Sequence, residues 1–183
     1  CLRYFQMIQS HTNTDKTLTS LVPPQFLPAV AIHNYNETLR STPCFGLVSE
    51  CTGLLQSLAV MLEEQFVVEG DWVIKDNPSH DLWYYMKEGC VHLKNVKNGD
   101  LLDAIKGTSK SGKSFGEHNL FFSDLKLYHA IAHTNCVVAT LSAIKFKTLE
   151  PVYPDEFGIM RKFVEGLAEE WKKKPPLSAQ NMR

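Results

Sequence analysis

The chain changes its hydrophobic period twice. Up to about residue 65 the apolar positions recur at helical spacing: Leu54, Leu55, Leu58, Val60, Met61 and Leu62 mark one helix, with Val30, Leu39 and Phe45 near breaks before it. Pro23, Pro24, Pro28 and Pro43 cut this part into short helices, because a proline disfavours helix in the residue before it. After Glu64 the pattern turns β-like. QFVVEGDWVIKD reads as two short strands around Glu69-Gly70-Asp71, a turn in which Gly70 tolerates positive φ. LWYYMKEG, CVHLKNV, LLDAIK and HAIAHTNCVVATLS are further β-rich runs, and Asn98-Gly99 between the second and third is a hairpin signal. From Pro154 the helical period returns. Met160, Phe163, Val164, Leu167 and Trp171 form a stripe, with Asp155 and Glu156 in the first turn and Lys172, Lys173 and Lys174 in the last, where the helix dipole favours them.

Short strands that follow one another without a long helix between them argue for an antiparallel sheet. The predicted fold class is α+β: an antiparallel β-roll, jelly-roll-like, flanked by N-terminal helices and a C-terminal helix. The expected organisation is linker helices over 1–45, the roll with its flanking helices over 46–174, and a disordered tail over 175–183, where the sequence is polar and broken by prolines.

Composition narrows the classes. With 183 residues and 44% apolar content the chain suffices for one domain with a sizeable core. A net charge of −1 argues against a nucleic-acid surface. Five cysteines, odd in number and without a CxxC pair, read as reduced thiols. The triplet Asn36-Glu37-Thr38 matches a glycosylation sequon, a chance-prone pattern. The chain starts on Cys1 without a signal peptide or a run of 18 apolar residues, and is expected to be a piece of something larger.

One motif invites a nucleotide reading. GTSKSGKS, residues 107–114, matches the Walker A pattern G-x-x-x-x-G-K-[ST]. That loop works only between a parallel strand and a helix, whose N-terminal amides face the phosphates. Here it follows a hairpin strand, and the later run CVVATLS lacks a magnesium-binding aspartate, so the expectation is a solvated connecting loop. No nucleophile–base pair and no catalytic carboxylate pair is evident, so the chain does not read as an enzyme. His129 and His133 share a strand face by period two, but no further ligands accompany them, and neither a metal nor a cofactor is expected.

The segment after the Walker-like loop carries a different resemblance. FGEHNLFF followed by AHTNCVVATLSAIKF is similar to the "F-G-E-[IL]-x-L-L … R-A-x-T-x-C-x-L" cassette of cyclic-nucleotide-binding domains. LRSTPCF, EQFVVEGDWVIKDN and LWYYMKEG resemble that family's preceding helix end, its "F-x-P-G-D-x-I" and its "M-Y-F-I-x-x-G", with Glu69 in the place of the proline. LTSLVPPQFLPAVAIHNYNETLRSTPCF resembles the end of the linker in cyclic-nucleotide-gated and hyperpolarisation-activated channels; the similar domain of a sperm-type sodium/proton exchanger is a second possible parent. The resemblance implies a cytosolic regulatory domain that senses cyclic AMP or cyclic GMP and gates an attached ion channel or transporter. It further implies a place at the cytoplasmic face of the plasma membrane and a homo-oligomer, four-fold in a channel or two-fold in an exchanger.

The same resemblance implies the site. Phe115, Gly116, Glu117, His118 and Asn119 would form the phosphate cassette, with Gly116 allowing close backbone approach and Glu117 accepting from a ribose hydroxyl. The C-terminal helix would close as a lid, packing Phe163, Val164 or Leu167 near the base. The family's phosphate-binding arginine, about nine residues after the glutamate, falls on Lys126, followed by Leu127, and the family's Thr or Ser falls on His129. Lysine keeps the charge and loses the two-pronged geometry, and histidine does not copy a hydroxyl. The ordinary reading of Lys126 and His129 is a solvated loop charge and a solvent-facing strand residue. The departures therefore leave a second reading open: a degenerate, ligand-independent homology domain that serves as an assembly module.

Overall fold

The computed structural model describes residues 23–75, 81–107 and 112–177. A turn of 3₁₀ helix, Pro24–Phe26, leads into helix α1, Leu27–Ser41, whose Pro28 lies in the first turn, where a missing N–H costs nothing. α1 stops because Thr42 precedes a proline and is extended, at φ −74° and ψ 126°. Pro43 then opens the short α2, Pro43–Gly46, and α3 follows over Thr52–Met61.

The strands are β1 Glu63–Val67, β2 Trp72–Ile74, β3 Leu82–Lys94, β4 Leu101–Gly107, β5 Lys113–Phe115, β6 His129–Ala132 and β7 Cys136–Ser142. A five-residue helix α4, Glu117–Phe121, separates β5 from β6; α5, Ala143–Lys147, and α6, Pro154–Lys173, complete the chain. Every strand pairing is antiparallel, in the order β1-β7-β3-β6-β2, with β4 and β5 both added to β3. The sheet curls into a roll with helices against it, as the sequence predicts.

The curl comes from β3. LWYYMKEG and CVHLKNV, read as separate runs, form one 13-residue strand. Its first half pairs with β5 and β7 and its second half with β4 and β6. The change of sheet occurs at Gly89, where φ is 95° and an added Cβ would lie 2.4 Å from the Asn135 carbonyl oxygen. A glycine here bends the strand without ending it, so sequence breaks and strand breaks do not coincide.

Strand alternation divides two cores. Trp83 faces the helices, while Tyr84 and Met86 face the roll interior. The helical cluster gathers Leu39, Phe45, Leu54, Leu58, Trp83, Leu141, Phe146, Phe157, Met160 and Val164. Residues on both sides of position 45 thus share one core with α6. The roll cluster holds Tyr84, Met86, Val91, Leu93, Leu102, Phe115, Tyr128, Ala130 and Val138.

Two local expectations differ from the structure, and a third, the connecting loop over the Walker-like stretch, falls partly outside the described residues. Asn98 has no positive φ, so Asn98-Gly99 is not a two-residue mirror-image turn; the connection runs over residues 95–100, closed by the Asn95 N–H donating to the Asp100 carbonyl at 2.8 Å. The Walker-like stretch has residues 108–111 outside the described part, and its flanks are two strands antiparallel to β3, not a parallel strand and a helix. The expected tail does not begin at 175: the Leu177 N–H donates to the Leu101 carbonyl at 2.8 Å, so the chain returns to the roll after α6; residues 178–183 lie outside the described part.

Candidate functional site

The cassette is built where β5 hands over to α4. Gly116 caps α4 in the left-handed region, at φ 84°, with the Leu82 carbonyl oxygen 3.0 Å from where a Cβ would sit. Its N–H therefore turns away from the helix, and it donates to the phenol oxygen of Tyr128 at 2.7 Å in a buried bond. A five-residue helix has a small dipole, so the position of this amide counts for more than the helix field.

The next three side chains, Glu117, His118 and Asn119, are all buried polar groups. Glu117 points toward the helical cluster, where one carboxylate oxygen accepts from the Trp83 indole N–H at 3.4 Å and from the Ser114 hydroxyl. Burial holds its carboxyl above the usual range, and these hydrogen bonds oppose the shift. His118 lies edge-on to Tyr128, with ring centroids 5.1 Å apart, and burial reinforced by the Lys126 charge lowers its pKa to about 4. The Asn119 amide donates to the Leu82 carbonyl at 2.9 Å, tying α4 to the start of β3. Phe115 stacks on Tyr84 inside the roll, at 5.0 Å and 7°.

Tyr128 is the centre of this arrangement. It alternates inward with Ala130 and Ala132 on β6, where small residues leave room for its ring. Burial, followed by the Glu117 charge, raises its phenol well above the ordinary range, so it stays neutral. Trp171 from α6 covers it, with ring centroids 4.7 Å apart. The Lys174 ammonium sits 3.9 Å from the Trp171 ring centroid and pairs with Asp103 on β4. With the Leu177–Leu101 backbone bond, residues 171–177 form a strap across the roll.

The structure thus brings Phe115, Gly116, Glu117, His118 and Asn119 together in one turn. Lys126 is exposed, Leu127 packs on the margin of the roll cluster, and His129 stands edge-on to Trp72 at 5.7 Å. His133, just past the end of β6, stacks on His92, with centroids 4.0 Å apart, so His129 and His133 have different partners; among the described residues no group of three potential metal ligands occurs. Val164 and Phe163 belong to the helical cluster, and Leu167 is half-buried. The α6 residue that reaches the roll is Trp171, one helical step beyond the expected lid positions. Tyr128 and Trp171 are the residues sequence reasoning missed as site residues. Tyr128 stands two residues after Lys126, inward by period two from Ala130, and that parity was readable.

No family model matches the chain. Solved structures do. The regulatory domain of Toxoplasma gondii PKA, in a co-crystal with cAMP, superposes with a TM-score of 0.59 at 20% identity, covering 77% of this chain and 51% of that one. The fold is that of a cyclic-nucleotide-binding domain. The C-linker/CNBHD of zELK channels, crystallised in the presence of cAMP, matches with a TM-score of 0.60 at 19% identity over 81% of this chain and 72% of that one. The regulatory subunit of a cAMP-independent protein kinase A from Trypanosoma brucei matches at 0.57 and 18% identity over 78% of this chain and 48% of that one. The chain spans about half the length of the kinase regulatory structures it matches. In this fold α4 lies between β5 and β6, and α6 is the last helix of the described residues.

Proposed function

We propose that this chain is a regulatory module whose nucleotide pocket is held by its own Tyr128 and Trp171, and which works as a ligand-independent interaction and assembly domain. The observation that carries this reading is the 2.7 Å bond from the Gly116 N–H to the Tyr128 phenol oxygen. That amide is the cassette donor best placed to meet a ligand oxygen, and a protein oxygen already satisfies it. Glu117 is likewise engaged inside, with Trp83 and Ser114, while Lys126 stands outside without the forked geometry that grips a phosphate. A cyclic nucleotide would have to displace the phenol, the indole and the strap, and its apparent affinity would be the intrinsic affinity multiplied by the fraction of molecules already open. One similar structure is named as cAMP-independent, so the same fold serves without that ligand elsewhere.

Titration of the chain with cyclic AMP and cyclic GMP tests this. Silence up to millimolar ligand is expected, and Tyr128→Ala combined with Trp171→Ala and Lys126→Arg is expected to create binding. Binding by the unaltered chain that Glu117→Ala abolishes would overturn the reading and favour the second: a cyclic AMP or GMP sensor with a displaceable plug. The left-handed Gly116 and the retained Glu117 favour that alternative.

The parent is proposed to be a membrane channel or transporter, with α1 to α3 leading from the roll toward it and the module lying at the cytoplasmic face as part of a homo-oligomer. The similarity to the C-linker/CNBHD of zELK channels motivates this, and the similarity to kinase regulatory subunits over as much of the chain makes a kinase regulatory parent the alternative. No helix among the described residues is long and apolar enough to cross a membrane itself. Light scattering of the whole parent distinguishes a four-fold channel from a two-fold exchanger, and a monomeric parent would remove both.

A further inference from the structure

The outward face of the β2–β6–β3–β4 part of the sheet carries charge and aromatic surface that the pocket does not use. On β3, Val91 and Leu93 are fully buried in the roll, so the alternating His92 and Lys94 point the other way. Strand register places Lys106 of β4 opposite Cys90, and His129 of β6 opposite Lys94. The stacked pair His92 and His133 lies between them. Trp72 of β2 is 45% exposed, edge-on to His129, with the Lys75 ammonium 5.2 Å from its ring centroid. Among the described residues, no ion pair engages Lys75, Lys94 or Lys106. Partial burial, then His133, Lys94 and Lys106 lower the His92 pKa, the mark of a shared positive field. Among the described residues the nearby carboxylates are held elsewhere in the chain's course: Glu69 and Asp71 are in the β1–β2 turn, Asp100 is in the hairpin connection, and Asp103 pairs with Lys174. The whole chain has a net charge of −1, so the face is a local concentration of positive charge, not a reflection of composition.

We propose that this face docks on an anionic lipid surface. Its lysines suit a negatively charged leaflet, and an exposed tryptophan offers the amphipathic ring that settles at the membrane–water boundary. An extended acidic peptide fits less well: β2 and β4 are open edges, but His92 and Lys94 stand on β3, paired on both sides, so a peptide added to either edge would leave the middle of the face uncovered, whereas a flat surface meets all of it. The inference is independent of what fills the pocket.

Sedimentation of the whole chain with vesicles tests it. The chain is expected to sediment with phosphatidylserine-containing vesicles and not with phosphatidylcholine alone, and to be released by salt. Lys94→Gln and Lys106→Gln are each expected to weaken binding about fivefold, and Trp72→Ala to weaken it further. These side chains are at the surface, and an unchanged circular dichroism spectrum verifies folding. The proposal is overturned if phosphatidylserine has no effect or if the two lysine substitutions leave binding unchanged. It is equally overturned if Lys172→Gln with Lys173→Gln abolishes binding, or if the chain binds poly-glutamate in a Lys94-dependent way while ignoring the vesicles.

Discussion

The two sides of the sheet that contains β3 and β7 are packed by different rules. The helical side is a hydrocarbon cluster, with Phe45 edge-on to Trp83 at 5.1 Å and Phe146 stacked on Phe157 at 4.5 Å. The roll side is also tightly packed, yet its rim is polar: His118 and Asn119 are buried beside Glu117, which turns back to Trp83, and a neutral phenol sits at the centre. Apolar packing tolerates many sequences that conserve volume, whereas a buried polar run holds only when each group has a partner. The helical side therefore supplies stability, and the roll side is where a small chemical change alters what the domain does.

The hardest blow to the helical side is Phe146→Ala. It removes a ring that touches Phe45, Phe121 and Phe157, and is expected to cost about 3–5 kcal/mol in urea unfolding. A cost of that size from one ring of the roll rim would erase the contrast. Next comes acid. The folded pKa of His118, about 4, lies below its ordinary 6.5, so this group contributes stability above pH 6.5 that is lost as pH falls toward 4. His118→Gln is expected to remove up to about 3 kcal/mol of that pH-dependent change, read from unfolding midpoints between pH 7 and 4. Glu117 acts in the opposite sense: its raised pKa makes ionisation a cost that acid relieves, so the residual slope in His118→Gln is expected to favour low pH.

A subtler change sharpens the picture further. Tyr128→Phe keeps the ring and leaves the buried Gly116 N–H without its acceptor, for an expected loss of about 1–3 kcal/mol. Exchange protection of the Gly116 amide should fall well before that of the helical cluster; unchanged protection would mean the bond is not what holds the cassette. The smallest effect is expected from Lys174→Gln. Its pair with Asp103 is about a third exposed on both sides, so the loss should be under about 1 kcal/mol and should vanish at high salt. Faster exchange at Leu177 with no global change would assign Lys174 to the strap alone.

Much of the fold was legible because periodicity reports burial. The apolar stripe of α6 named the face that packs, whereas Trp83, Tyr84, Tyr85 and Met86 are apolar or aromatic throughout, and the structure divides them between two cores. Strand breaks were less legible: Gly89 reads as a stop but acts as a bend, and a composition cue does not separate the two. The cassette turn from Phe115 to Asn119 was legible from its motif, and the departures at Lys126 and His129 were visible as well. Their consequence was not. Whether Glu117 faces a ribose or an indole depends on Trp83, 34 residues earlier, and on which way a left-handed glycine turns its amide.

By itself the sequence determined the order of elements, the antiparallel class and the position of the cassette, because these follow from local dihedral preferences and from which positions avoid water. Only the tertiary structure decided what the cassette meets. Tyr128, Trp171 and Leu177 reach it and its rim from separate elements, and the energy that holds them there comes from contacts between distant parts of the chain, which no local pattern encodes.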